Sequence, residues 1–190
     1  MLRSLPLAIA AIAMLSVGAC REEERPDLML QAVLAQSDTT VSDRIDWFVE
    51  RDDAWLGPDV GTTLEAVPGL YTAKLDVLGS EPVTQEVRIA EDAKDGAVLR
   101  VDLDASLVEI ALAPESQSAR IAFEFQSAVT MGSAGVRLSE DGTVRTLVSR
   151  DLSELILVID ERRVPIAADF AAGTVLRLVE DGGTLRPMEE

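Results

Sequence analysis

The chain reads as mainly β, folded as two small tandem antiparallel sandwich-like domains, on three observations. Apolar residues recur at every second position over short stretches. Gly, Pro and Asp punctuate those stretches at short intervals. Two segments of the second half echo the first at nearly one offset. The expected layout is a signal segment at 1–19, a tether at 20–27, a sandwich at 28–104 and a second β-rich domain at 105–190. About 170 residues beyond the signal segment, with a high apolar fraction, are enough to bury such cores.

The first twenty residues place Arg3 before a 13-residue apolar run from Leu5 to Val17, followed by Gly18, Ala19 and Cys20, the only cysteine. A bilayer-spanning helix needs roughly 20 apolar residues, so the run suits a removable export signal. A conventional secretory signal also fits Val17 and Ala19, but it leaves Cys20 as a free thiol with no partner in an oxidising compartment. Val17-Gly18-Ala19-Cys20 resembles the lipobox of bacterial lipoproteins. That resemblance implies cleavage between Ala19 and Cys20 and acylation of Cys20. It also implies a membrane partner reached through that lipid, and a place in the cell envelope. Arg21 rather than Asp after the cysteine favours the periplasmic side of the outer membrane over the inner membrane. Acyl chains contribute about 0.8 kcal/mol per buried CH₂, and two or more anchor stably. Arg21 to Pro26, REEERP, has nothing to bury and reads as tether.

Leu28, Leu30, Ala32 and Leu34 share one parity, as do Ile45, Trp47 and Val49, and then Val60, Thr62, Leu64 and Ala66. Pro68-Gly69 marks a turn. Tyr71, Ala73, Leu75 and Val77 then oppose Thr72, Lys74 and Asp76, followed by Val83, Val87 and Ile89, and by Ala97, Leu99, Val101 and Leu103. Trp47, Leu64 and Pro68-Gly69-Leu70-Tyr71 together resemble the Ig-like and PKD-like β-sandwich modules of extracytoplasmic proteins. That resemblance spans residues 28–104, lacks the disulfide of immunoglobulin domains, and implies that Trp47 fills the core and that a Gly-x-Tyr element opens a late strand.

Arg44 to Val49 lines up with Arg120 to Phe125 at an offset of 76, and Val98 to Val101 with Val175 to Leu178 at 77. Tandem units of about 77 residues follow. Within the second, Leu155 to Ile159 is solidly apolar and reads as a strand buried on both faces. Asp160 to Arg163 turns the chain into Val164-Pro165-Ile166. Ser133 to Leu138 or Thr146 to Leu152 has room for a short helix, which would make this half α+β.

The formal charge is −17, or −18 once residues 1–19, which carry only Arg3, are removed. Such a surface repels nucleic acid and anionic head groups. Histidine is absent, which excludes imidazole ligands and Ser/His or Cys/His nucleophile pairs. No catalytic residue, metal set or cofactor motif emerges. Lys74 lies on the polar parity of its strand and reads as solvent-facing rather than as half of a Ser/Lys dyad. Arg162-Arg163 reads as charge balance at a hairpin tip rather than a carboxylate grip.

The one loop that invites chemistry holds Asp52, Asp53, Trp55 and Asp59. It lacks the alternating oxygens and bend glycine of a calcium loop. A carboxylate pair roughly 5 to 10 Å apart beside an aromatic would suit glycan hydrolysis. The simpler reading is a solvated turn with Trp55 folded back on the sandwich. Two function classes result: a non-catalytic, lipid-anchored binding or structural accessory module with an envelope protein or glycan partner, and, as the alternative, a carboxylate-dependent glycan hydrolase or glycan-binding lipoprotein.

Overall fold

In the computed structural model the described residues are 26–56, 61–93 and 95–188. The signal segment, Cys20, Asp59 and Lys94 lie outside them. The protein is mainly β; the helical pieces described are two 3-10 turns, Ser42–Arg44 and Pro114–Ser116.

The first half supplies β1 (Asp27–Leu34), β2 (Thr39–Thr40), β3 (Phe48–Arg51), β4 (Ala54–Trp55), β5 (Thr63–Glu65), β6 (Gly69–Leu75), β7 (Val77–Leu78), β8 (Val83–Ile89) and β9 (Ala97–Leu103). The second supplies β10 (Ala105–Ala111), β11 (Ile121–Ser127), β12 (Met131–Gly135), β13 (Thr143–Ser149), β14 (Leu152–Ile159), β15 (Arg162–Pro165), β16 (Val175–Asp181) and β17 (Thr184–Pro187). In the first sheet β1 pairs with β2, β5 and β9; the second runs β4-β3-β6-β8. The third runs β17-β16-β10-β13-β7 and the fourth β12-β11-β14-β15.

One pairing plan occurs twice. Antiparallel β1–β5, β3–β4, β3–β6 and β6–β8 reappear as β10–β13, β11–β12, β11–β14 and β14–β15. The parallel pair β1–β9 reappears as β10–β16. Antiparallel pairs dominate, and the first strand of each unit runs parallel to β9 or β16 because the chain builds a whole second sheet between them, ample length for a crossover.

Strands with one buried face behave as their alternation predicts. Leu28, Leu30, Ala32 and Leu34 are buried, as are Tyr71, Ala73 and Leu75. Trp47 is 3% exposed in that core, and its indole N–H donates to the Ser42 carbonyl at 2.9 Å. A buried indole requires such an acceptor.

The third sheet is different, because both of its faces are covered. Ala105, Leu107 and Leu147 pack into the first core, whereas Val108, Ile110, Val144 and Val148 pack into the second. This corrects the helix expectation: Ser133 to Leu138 begins within β12, and Thr146 to Leu152 spans the end of β13 and the start of β14. Apolar residues at 144, 147 and 148 carry helical spacing because β13 serves two cores, and Leu152 at the start of β14 prolongs it. The β-branched threonines and valines of β13 favour strand, and the glycines of β12 disfavour helix. The two-residue β7 crosses from the first unit to pair in parallel with β13, Val77 with Leu147 and Leu78 with Val148. Val77 joins the first core and Leu78 the second, so shared strands and shared packing hold the units together.

Candidate binding site at the junction of the two sandwiches

At this junction a single carboxylate faces three guanidinium groups. Register places Arg145 on β13 and Arg177 on β16 directly beside Glu109 on β10. Arg145 Nε donates to Glu109 Oε1 at 3.1 Å and Arg177 Nε to Oε2 at 3.3 Å. Arg44, from the 3-10 turn of the first unit, brings Nη1 to 3.6 Å from Oε2. Glu109 is 9% exposed; a carboxylate so placed needs these partners. Arg145 also donates to the Ser139 hydroxyl at 2.8 Å and to Asp141. Its hydrogen bond holds the Asp141 carboxyl below the ordinary value, against a smaller upward push from burial.

Above this clasp lie two adjoining clefts of about 230 and 170 Å³. They share Ile45, Asp46, Arg137 and Arg145. The polar one is completed by Asp43, Arg44, Leu138, Ser139 and Glu140. The more apolar one runs past Leu78, Ala134, Val136 and Leu147 to Phe48. One wall comes from the turn that leads into β3 and the other from the connection between β12 and β13, so both units build it.

Phe48 also belongs to the outer face of the second sheet. Trp47 and Val49 point into the core, so Phe48 and Glu50 point out. Trp55 pairs with Glu50 and shares that face. Trp55 is 59% exposed and Phe48 42%. Their cross-strand neighbours are polar: Lys74 beside Phe48 and then Thr84, Thr72 beside Glu50 and then Glu86. Lys74 Nζ lies 3.4 Å from Glu50 Oε1.

The loop singled out from sequence is the tip of the β3–β4 hairpin. Asp52 and Asp53 form its two-residue turn with φ of 49° and 64°, the left-handed values a tight hairpin needs and aspartate tolerates. Asp52 Oδ1 accepts the Leu70 N–H at 2.9 Å, and the Asp52 N–H donates to the Leu70 carbonyl at 2.8 Å, tying the tip to the start of β6. Gly69 there has φ of 149°, and a Cβ on it would meet Asp52 Oδ2 at 2.5 Å. Asp53 is exposed. Trp55 is not folded back on the sandwich, because it sits on the outward parity of an edge strand. Asp59 lies outside the described residues. Structure therefore joins Trp55 to Phe48, which sequence reasoning passed over, and assigns Asp52 to the hairpin. The signal for Phe48 was present: it lies between two inward-facing residues.

Arg162 and Arg163 are engaged within the chain, Arg162 with Glu180 at 3.0 Å and Arg163 with Glu124 at 2.5 Å. Glu180 is 2% exposed and also accepts from Ala113 N–H at 3.2 Å, Ser116 Oγ at 2.9 Å and Gly183 N–H at 3.0 Å. Burial pushes its carboxyl up, and the bonds from Gly183, Ser116 and Ala113 together with Arg162 outweigh it, leaving it below the ordinary value. Among the described residues no group of three or more Cys, Asp or Glu is disposed to hold a metal ion.

No protein-family model and no curated protein matches the chain. Among solved structures, a candidate polysaccharide-binding protein from Bacteroides thetaiotaomicron aligns with 87% of this chain and 98% of its own, at 8% identity and a TM-score of 0.34. A candidate cell adhesion protein from Bacteroides ovatus aligns over 87% and 96%, at 8% identity and 0.32. The TIE protein of Bacillus anthracis aligns over 82% of this chain and 33% of its own, at 12% identity and 0.30. At these scores nothing about function is carried over from them.

Proposed function

We propose that this protein is a lipid-anchored, non-catalytic binding module of the bacterial cell envelope, held by acyl chains on Cys20. Its partner docks on the outer face of the second sheet and in the adjoining junction groove. The observation that carries this is the placement of Trp55 and Phe48, two exposed large aromatics, on one face that runs into a groove built by both units. Exposed aromatic surface beside a concavity is what recognition sites use. Of the carboxylates at and beside this face, Asp52 accepts from the Leu70 N–H, Glu50 pairs with Lys74 and Glu109 with three arginines, which favours a binding role for these three over acid–base work.

The anchor and the binding face are tested together in cells. Cys20→Ser should move the protein out of the membrane fraction and abolish labelling by a fatty-acid analogue; unchanged fractionation refutes the lipid anchor. A photo-crosslinking residue at Phe48 should give one dominant envelope product, and the same residue at Val129, 89% exposed on the β11–β12 hairpin, should not. Equal, diffuse products from both sites refute the face.

A further inference from the structure

We infer that the ligand of this face is an uncharged polysaccharide, one chain of which lies across Trp55 and Phe48 and leads into the junction groove. The inference rests on the binding-module reading and adds the class of ligand.

The two aromatics occupy a diagonal of the sheet. Trp55 stands opposite Glu50, and Phe48 lies two residues along the same strand on the same side. Diagonal neighbours on one sheet face are about 7 to 8 Å apart at the backbone, within joint reach of large rings. Flat indole and phenyl surfaces accept the C–H face of a saturated sugar ring. The hydroxyls around such a ring need donors and acceptors at its edge, and Lys74, Glu50, Thr72 and Thr84 supply both. Phe48 belongs to the sheet face and the groove wall alike, so a chain seated on the aromatics is directed toward the groove.

A protein partner fits this face less well. The buried centre of a protein interface is depleted of charge, whereas here the aromatics are interleaved with a Glu50–Lys74 ion pair. Charge also selects among polysaccharides. Net charge is −17, which repels a polyanion at long range. On the face itself Glu50 and Glu86 are matched by Lys74 and Arg88, so it holds no surplus charge to attract a charged chain.

The second unit serves as an internal comparison. Under the 76-residue offset Phe48 corresponds to Glu124, and Glu50 to Gln126, whose cross-strand partner Met131 stands where Trp55 does. The same pairing plan is built there without aromatics on its outer face, so the fold does not require Trp55 or Phe48. An exposed tryptophan and phenylalanine that folding does not need are explained by contact with a ligand.

The test is a titration of the purified full chain in detergent, followed by tryptophan emission and affinity electrophoresis. The probes are dextran, galactomannan and mixed-linkage β-glucan, with polygalacturonate as the acidic chain. Trp47 is buried and bonded to Ser42, so the response reports Trp55. At least one neutral polysaccharide should give a saturable blue shift and retard migration. Trp55→Ala should abolish the shift, and the electrophoretic affinity should fall at least tenfold in both Trp55→Ala and Phe48→Ala, with circular dichroism unchanged. No response to any neutral chain, tighter binding of polygalacturonate, or retardation unaffected by Trp55→Ala overturns the inference. If none of the chains binds yet the Phe48 photo-crosslink still gives one envelope product, the binding module stands and the ligand class falls. If the crosslink fails as well, both fall.

Discussion

Replacing Glu109 with alanine should cost about 2 to 4 kcal/mol of stability. The carboxylate sits at a contact between the units, with Arg44 reaching it from one and Arg145 and Arg177 from the other. The Arg145 side chain is 23% exposed, so its Nε–H loses a charged acceptor with little water to replace it, about 1.5 to 3 kcal/mol. Arg44 and Arg177 are wetter, so each of their pairs is worth about 0 to 1 kcal/mol. Removing the carboxylate the three guanidinium groups share also leaves Arg44 and Arg177 facing Arg145, which keeps only Asp141 as its counter-charge. For a chain of this size each kcal/mol is about 2 to 4 °C, so Tm should fall by about 5 to 15 °C. Calorimetry and urea unfolding measure both. Arg44→Ala should matter less in the Glu109→Ala background than in the wild type, by up to about 1 kcal/mol of coupling. A Tm within 2 °C of wild type, or additive effects of the two substitutions, refutes a clasp between units.

Glu180 makes stability depend on acid. Its folded-state pKa lies below the 4.5 of an ordinary glutamate, so the carboxylate contributes stability above that value and loses it as pH falls toward the folded pKa. Glu180→Gln should be less stable at neutral pH, and below about pH 4 its difference from wild type should shrink; a pH-independent difference contradicts this. Gly79→Ala should cost about 2 kcal/mol or more in urea unfolding, because φ is 84° and the new Cβ would lie 2.1 Å from Leu152 Cδ1. Trp55→Ala and Phe48→Ala should each leave unfolding free energy within about 0.5 kcal/mol of wild type, as exposed residues do. A large loss in either would make it structural.

Much of the fold was legible wherever a strand has one buried face. Leu28, Leu30, Trp47, Tyr71 and Leu99 declare their sides by parity, and the offsets of 76 and 77 anticipate a pairing plan that occurs twice. Legibility failed at the third sheet, where β10 and β13 serve two cores and alternation vanishes. Residues 144, 147 and 148 then mimic a helix, which Leu152 of β14 prolongs. The clasp was invisible for another reason: Glu109, Arg145 and Arg177 meet through strand register, which nothing local in the sequence specifies. At the binding face the acidic loop drew notice to Trp55 through Asp52, yet Asp52 serves the hairpin. Phe48 beside the core Trp47 was the missed half, and the inward parity of its neighbours was the clue.

Hydroxyl-radical footprinting of Trp55 and Phe48 in intact envelopes, set against the purified protein, tests the binding face most directly. A face occupied in the cell predicts oxidation of both aromatics reduced at least fivefold in the envelope, with Val129 and Met131 unchanged. Equal oxidation of Trp55 and Phe48 in the two preparations would contradict it.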